Sequence, residues 1–186
     1  MGILAMFRRR PHERAGFELY GAAVGAARTP ALFAVLGAPD TVEGRFDLIA
    51  LHVGLLINRL RRDGDARGPA LAQAVFDAMF ADMDQNLREM GVGDLSVGKK
   101  VRQAWEAFHG RALAYEAAID SVDDTALAEA LARNVWRSAE PPAAAAPARL
   151  AAITRAQAAH LAGQGIGDLV AGRVTFLDAE ALLHDA

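Results

Sequence analysis

Four groups of residues in this 186-residue chain have side chains suited to catalysis or metal binding. Glu106-Ala107-Phe108-His109 sets a carboxylate and an imidazole one helical turn apart, the spacing used by di-iron helical bundles. Such centres need two E-x-x-H motifs and further glutamates on facing helices, and one motif is present. His109, next to Gly110, therefore reads as a polar residue on the outer face of a helix. His52 sits among apolar neighbours with no serine, lysine or acid at catalytic spacing, so a buried imidazole with one hydrogen-bond partner is expected. Asp77 and Asp84 share one helical face, and Asp82 and Glu89 share another. Arg88 stands four residues after Asp84, where it can pair with it, so these acids read as a solvated surface. Gly91, Gly93 and Gly98 before Lys99-Lys100 lack both the Walker spacing and a preceding strand. The absence of cysteine excludes disulfides, thiolate metal sites and a cysteine nucleophile. No catalytic residue, metal or cofactor is expected.

Two further groups suggest binding. Apart from Met1 and Met6, the methionines are Met79, Met83 and Met90, beside Val75, Phe76, Phe80 and Leu87. Unbranched, polarizable methionine repacks around varied apolar partners, and adaptable binding grooves use it for that reason. Plain core packing is the alternative. Lys99 and Lys100 are the only lysines in a chain that otherwise uses arginine. They offer a compact cationic contact for a partner or for lipid phosphates, or else form a solvated pair.

The elements that must position these residues are helical. The chain is 53% hydrophobic but only 6% aromatic, and rich in alanine, a composition suited to close helix packing. The punctuation predicts helices over about 11–28, 31–36, 41–62, 70–90, 96–120, 123–136 and 149–162. Asp40 or Thr41 can cap the third, with Glu43 reaching back to Asp40. That helix is apolar nearly all round in its middle and belongs at the centre. We expect an all-α single domain of about six helices. In this reading, 1–14 is an N-terminal segment, with disorder one expectation for it, and 15–137 is the core. Residues 138–148 form a Pro/Ala linker. The final helix and a short irregular tail (149–186), extended near 173–177, pack on the core. The longest stretches free of Asp, Glu, Lys and Arg are too short to span a bilayer. The start, MGILAMFRRRPHER, places apolar before basic residues, the reverse of a secretory signal, so a cytoplasmic setting is expected. Basic stretches (1–62, 99–111) alternate with acidic ones (63–98, 112–140) at a net charge of -3, a poor match to a nucleic-acid binder. Arginine bias with abundant Ala and Gly suggests a GC-rich, bacterial genome.

The stretches APDTVEGRFD (38–47), Leu51-His52-Val53, FDAMFADMDQNLREMGVGDLSVGKK (76–100) and AFHGRA (107–112) closely resemble the ubiquinol–cytochrome c chaperone family. The resemblance extends from about Ala15 to Leu177. His109 departs from it, since members often carry tyrosine there. The resemblance implies an all-helical, non-catalytic assembly factor of the cytochrome bc1 complex whose partner is cytochrome b or another membrane-protein subunit. On that reading Phe76, Met79, Phe80, Met83, Leu87 and Met90 line or support a client groove. Arg45, Lys99 and Lys100 act at its rim or near the membrane, with the protein peripheral on the cytoplasmic face of the inner membrane. The alternatives are a helical transcription regulator, for which 1–36 lacks a clear helix-turn-helix pair, and a helical-bundle metal-dependent oxidase.

Overall fold

A computed structural model describes residues 12–121, 123–137 and 143–184, less the side chains of Leu95 and Asp124. Among the described residues the chain forms nine α-helices: α1 Glu13–Ala27, α2 Pro30–Ala34, α3 Val42–Arg61, α4 Gly68–Glu89, α5 Asp94–Asp120, α6 Asp124–Leu131, α7 Ala146–Ala162, α8 Ile166–Val170 and α9 Ala179–His184. A π-helical turn, Ala132–Trp136, continues α6. The expected count of about six is too low because α8 and α9 are one- or two-turn helices. Pieces that short do not nucleate alone. Buried Leu169 and Leu183 hold them in place by packing.

An all-round apolar helix is satisfied only at the centre of a fold. α3 accordingly packs against α1, α4, α5 and α7, and Leu48, Leu51, Val53, Leu56 and Leu60 are each at most 1% exposed. Thr41 caps it, accepting from the Gly44 amide at 3.1 Å. With Thr41 as the cap, Glu43 falls one position short of the place from which a glutamate reaches back. It stays exposed, and Arg45 Nε donates to Asp40 at 2.5 Å instead.

Two apolar clusters flank α3. One gathers Leu19, Leu56, Leu71, Val75, Met79 and Phe108, and the other Leu32, Leu48, Tyr115, Leu131, Trp136 and Leu150. α1 lies close along α4, so that a Cβ at Gly16 would stand 2.6 Å from the Ala74 backbone. Arg59 donates to the Leu161 and Gln164 carbonyls at 3.0 and 2.7 Å, and Arg155 to those of Ile119 and Ala118 at 2.8 and 3.1 Å. These arginines add donors to carbonyls at or just past the C-terminal ends of α7 and α5, where the helical ladder runs out.

Residues 138–142 of the expected linker lie outside the described residues, and 146–148 open α7. Pro147 is tolerated there because the first turn leaves its N–H groups unused. The stretch 173–178 is neither helix nor strand. Gln157 and Gln164 stand in for a neighbouring strand. Each amide both donates to and accepts from the tail backbone, at Leu177 (2.8 and 2.8 Å) and at Thr175 (2.7 and 2.9 Å). Of the expected N-terminal segment, 1–11 lies outside the described residues.

Candidate client-binding hairpin

α4 and α5 form an antiparallel pair whose joined end runs past the centre of the fold. A Cβ at Gly54 of α3 would stand 3.9 Å from that of Ala112 of α5, and one at Gly68 of α4 would collide with the Leu60 carbonyl. Counting residues along each helix from these contacts places the start of α3 level with roughly Asn86 on α4 and Lys100 on α5. Past those levels α4 has about three more residues and α5 about six, roughly 4.5 and 9 Å at 1.5 Å each.

Burial follows that geometry. Leu71, Ala72, Val75, Ala78 and Met79 are buried in α4, and after Met79 no residue of this helix is. Phe76 and Phe80 are half-buried and share an aromatic cluster with Phe108, their centroids 5.8 and 6.3 Å from its ring and 4.6 Å from each other. Met83 and Leu87 are half-buried, and Met90 is 54% exposed. None of these last three belongs to either core cluster. The methionine-bearing helix thus divides by position. Met79, at 1% exposure, is core, while half-buried Met83 and exposed Met90 lie outside both clusters. In α5, Val97 is buried, Val101 is half-buried and Trp105 is 45% exposed.

Arg88 pairs with Asp84 at 2.6 Å, as its spacing predicts, and also with Asp94 at 2.5 Å. Tyr20 donates to Asp82 at 2.7 Å; burial and that carboxylate raise its pKa, so it stays a phenol. Arg102 pairs with Glu106 at 3.0 Å. Lys99 and Lys100 are exposed, with no ion pair among the described residues. Arg45, grouped with them from sequence, has its charge balanced by Asp40.

The remaining candidates fall elsewhere. His52 is 2% exposed, and its Nδ1 donates to the Leu48 carbonyl at 2.8 Å, as expected of a buried imidazole. His109 is exposed and stacks on Trp105, centroids 5.5 Å apart and planes 4° from parallel. Among the described residues no group of three or more His, Cys, Asp or Glu could hold a metal ion.

Residue reading missed the ionic cluster beneath the hairpin. Asp47, 2% exposed, accepts from Arg111 of α5 and from Arg137, whose Nε and Nη2 lie at 2.9 and 2.7 Å. Arg137 follows the π-helical turn at φ 42°, beside Trp136, whose indole donates to the Gly37 carbonyl at 3.0 Å. An acid between Phe46 and Leu48 in a central helix was the available signal, since such a residue is buried only with partners.

A profile described as ubiquinol–cytochrome C chaperone matches residues 34–176. The crystal structure of the Cbp3 homolog from Brucella abortus aligns with a TM-score of 0.80 at 34% identity, covering 96% of this chain and 98% of that one. The Xenopus laevis ubiquinol-cytochrome-c reductase complex assembly factor 1 is 28% identical over 121 residues, 65% of this chain and 60% of that protein. The human protein of the same name is 29% identical over 129 residues, 69% of this chain and 42% of that one. This chain thus matches less than two thirds of either relative's length. With its helical architecture and a match across most of its length, the chain belongs to the ubiquinol–cytochrome c chaperone family.

Proposed function

We propose that the chain is a non-catalytic assembly chaperone of the cytochrome bc1 complex that holds cytochrome b, or a precursor of it, on the α4–α5 hairpin. The observation that carries this reading is the half-buried row of Phe76, Phe80, Met83 and Leu87, ending in exposed Met90, on a hairpin that outruns the core of a chaperone-family fold. A subunit that will enter a membrane exposes apolar helices before assembly. A flexible apolar face receives such helices without demanding one fixed shape. Met79 supports the face from the core. Lys99 and Lys100 act at its rim, toward the client or toward anionic headgroups on the cytoplasmic face of the inner membrane. No nucleic acid takes part. No helix among the described residues is long and apolar enough to cross a membrane, which fits peripheral contact.

The test is co-purification of cytochrome b with tagged protein from cells assembling the complex. Met83→Asp with Leu87→Asp abolishes recovery while the helical circular dichroism is unchanged, and Lys99→Glu with Lys100→Glu weakens it several-fold. Undiminished recovery with the first pair overturns the hairpin as the client site. Failure of the wild-type protein to recover cytochrome b overturns the client assignment.

A further inference from the structure

The outer face of α5 carries apolar and aromatic side chains that the fold leaves uncovered. Arg102, Trp105, His109, Leu113 and Glu116 step by three, four, four and three residues, which keeps them on one helical stripe. Trp105 is 45% and Leu113 51% exposed, two of the most exposed large apolar residues described. His109 lies between them in sequence and stacks on Trp105. The face is distinct from the hairpin row, because Phe108, one residue from His109, turns inward to Phe76 and Phe80.

The stripe is symmetric about His109 in spacing and antisymmetric in charge. Four residues to either side stand Trp105 and Leu113, and seven to either side stand Arg102 and Glu116. Arg102 and Lys99 with Glu106 leave the first half net positive. Glu116 and Asp120, which share the single guanidinium of Arg62, leave the second half net negative. A two-fold contact requires a surface complementary to itself. From this we infer that α5 is a homodimer interface. A second copy of the chain lies antiparallel across an axis through His109, so that Trp105 covers the partner's Leu113 and Arg102 faces the partner's Glu116. One helix pair lies at the small end of specific interfaces, so the dimer is a reversible one. The hairpin row stays open in both copies.

Because the chain has no native cysteine, one introduced thiol reports the axis. Under mild oxidation His109→Cys forms a disulfide-linked dimer in high yield, whereas Gln103→Cys, exposed on another side of α5, does not. In sedimentation velocity the native chain passes from a 19.7 kDa monomer toward twice that mass as its concentration rises. Leu113→Asp abolishes this shift with helical circular dichroism unchanged. Arg102→Glu weakens association at least tenfold, and adding Glu116→Arg restores it. A monomer at all concentrations up to about 1 mM overturns the inference. So does association that survives Leu113→Asp, or equal crosslinking at positions 103 and 109.

Discussion

Replacing Asp47 by alanine would leave the Arg111 and Arg137 guanidiniums facing each other without the carboxylate that now joins α3, α5 and the end of the π-helical turn. Breaking a buried ion cluster at one member costs about 3 kcal/mol or more. Urea unfolding of Asp47→Ala should show a loss of that size. Removal of the exposed Arg45–Asp40 pair by Arg45→Ala should leave the unfolding midpoint essentially unchanged. His52 gives a prediction about pH. Burial holds its pKa below the ordinary 6.5, opposed only in part by the Leu48 carbonyl. The unfolded chain therefore binds a proton that the folded chain refuses, and stability falls as the pH drops from about 6.5 toward the folded value. Carboxylates held low by arginine partners, Asp63 and Asp120 among them, act in a separate window. Their stabilisation is complete above the ordinary 3.8 and fades only as the pH falls through their folded values. The slope between pH 6.5 and 4.5 in unfolding free energy should flatten in His52→Gln, whatever that substitution does to stability at neutral pH. Tyr115 is a second buried group beside the ionic cluster. Burial pushes its pKa up to about 12, so it stays uncharged through this range.

At the scale of elements, glycines separate helix propensity from helix packing. Gly16 and Gly21 both lie inside α1, where alanine is the better helix former by up to about 1 kcal/mol. A Cβ at Gly21 meets nothing within 4 Å, whereas one at Gly16 collides with the backbone of Ala74. Gly21→Ala should raise the thermal midpoint and Gly16→Ala should lower it, since α1 can accept the methyl only by moving off α4. Opposite signs in the same calorimetric measurement are expected, and equal signs would show that α1 does not lie this close to α4. Punctuation and apolar spacing together located α3, α4 and α5 to within a few residues, because each has enough turns for a stripe to show between its breakers. It did not reveal α8 or α9. Their one or two turns carry no period, and their helicity comes from what Leu169 and Leu183 are pressed against.

Across the whole molecule, protection should follow the distance from α3. The amides of α3 and the first half of α4, among fully buried neighbours, should exchange with solvent near the rate of global unfolding. Those of α4 after Phe80 and of the first half of α5, outside both apolar clusters, should exchange at least tenfold faster. Hydrogen-exchange mass spectrometry resolves the two halves of α4, and uniform protection along it would remove the basis for a compliant client face. The sequence by itself determined the all-helical class, the central place of α3, the burial of His52 and the resemblance to the chaperone family, because composition, period and local motifs are properties of neighbours along the chain. Which methionines are core, which cation is already paired, where Asp47 finds its arginines and which face of α5 stays bare are decided only in three dimensions. Met79 and Met83 are one turn apart with the same side chain. What separates them is how much the neighbouring helices bring against each position, and no pattern within α4 records where another helix packs.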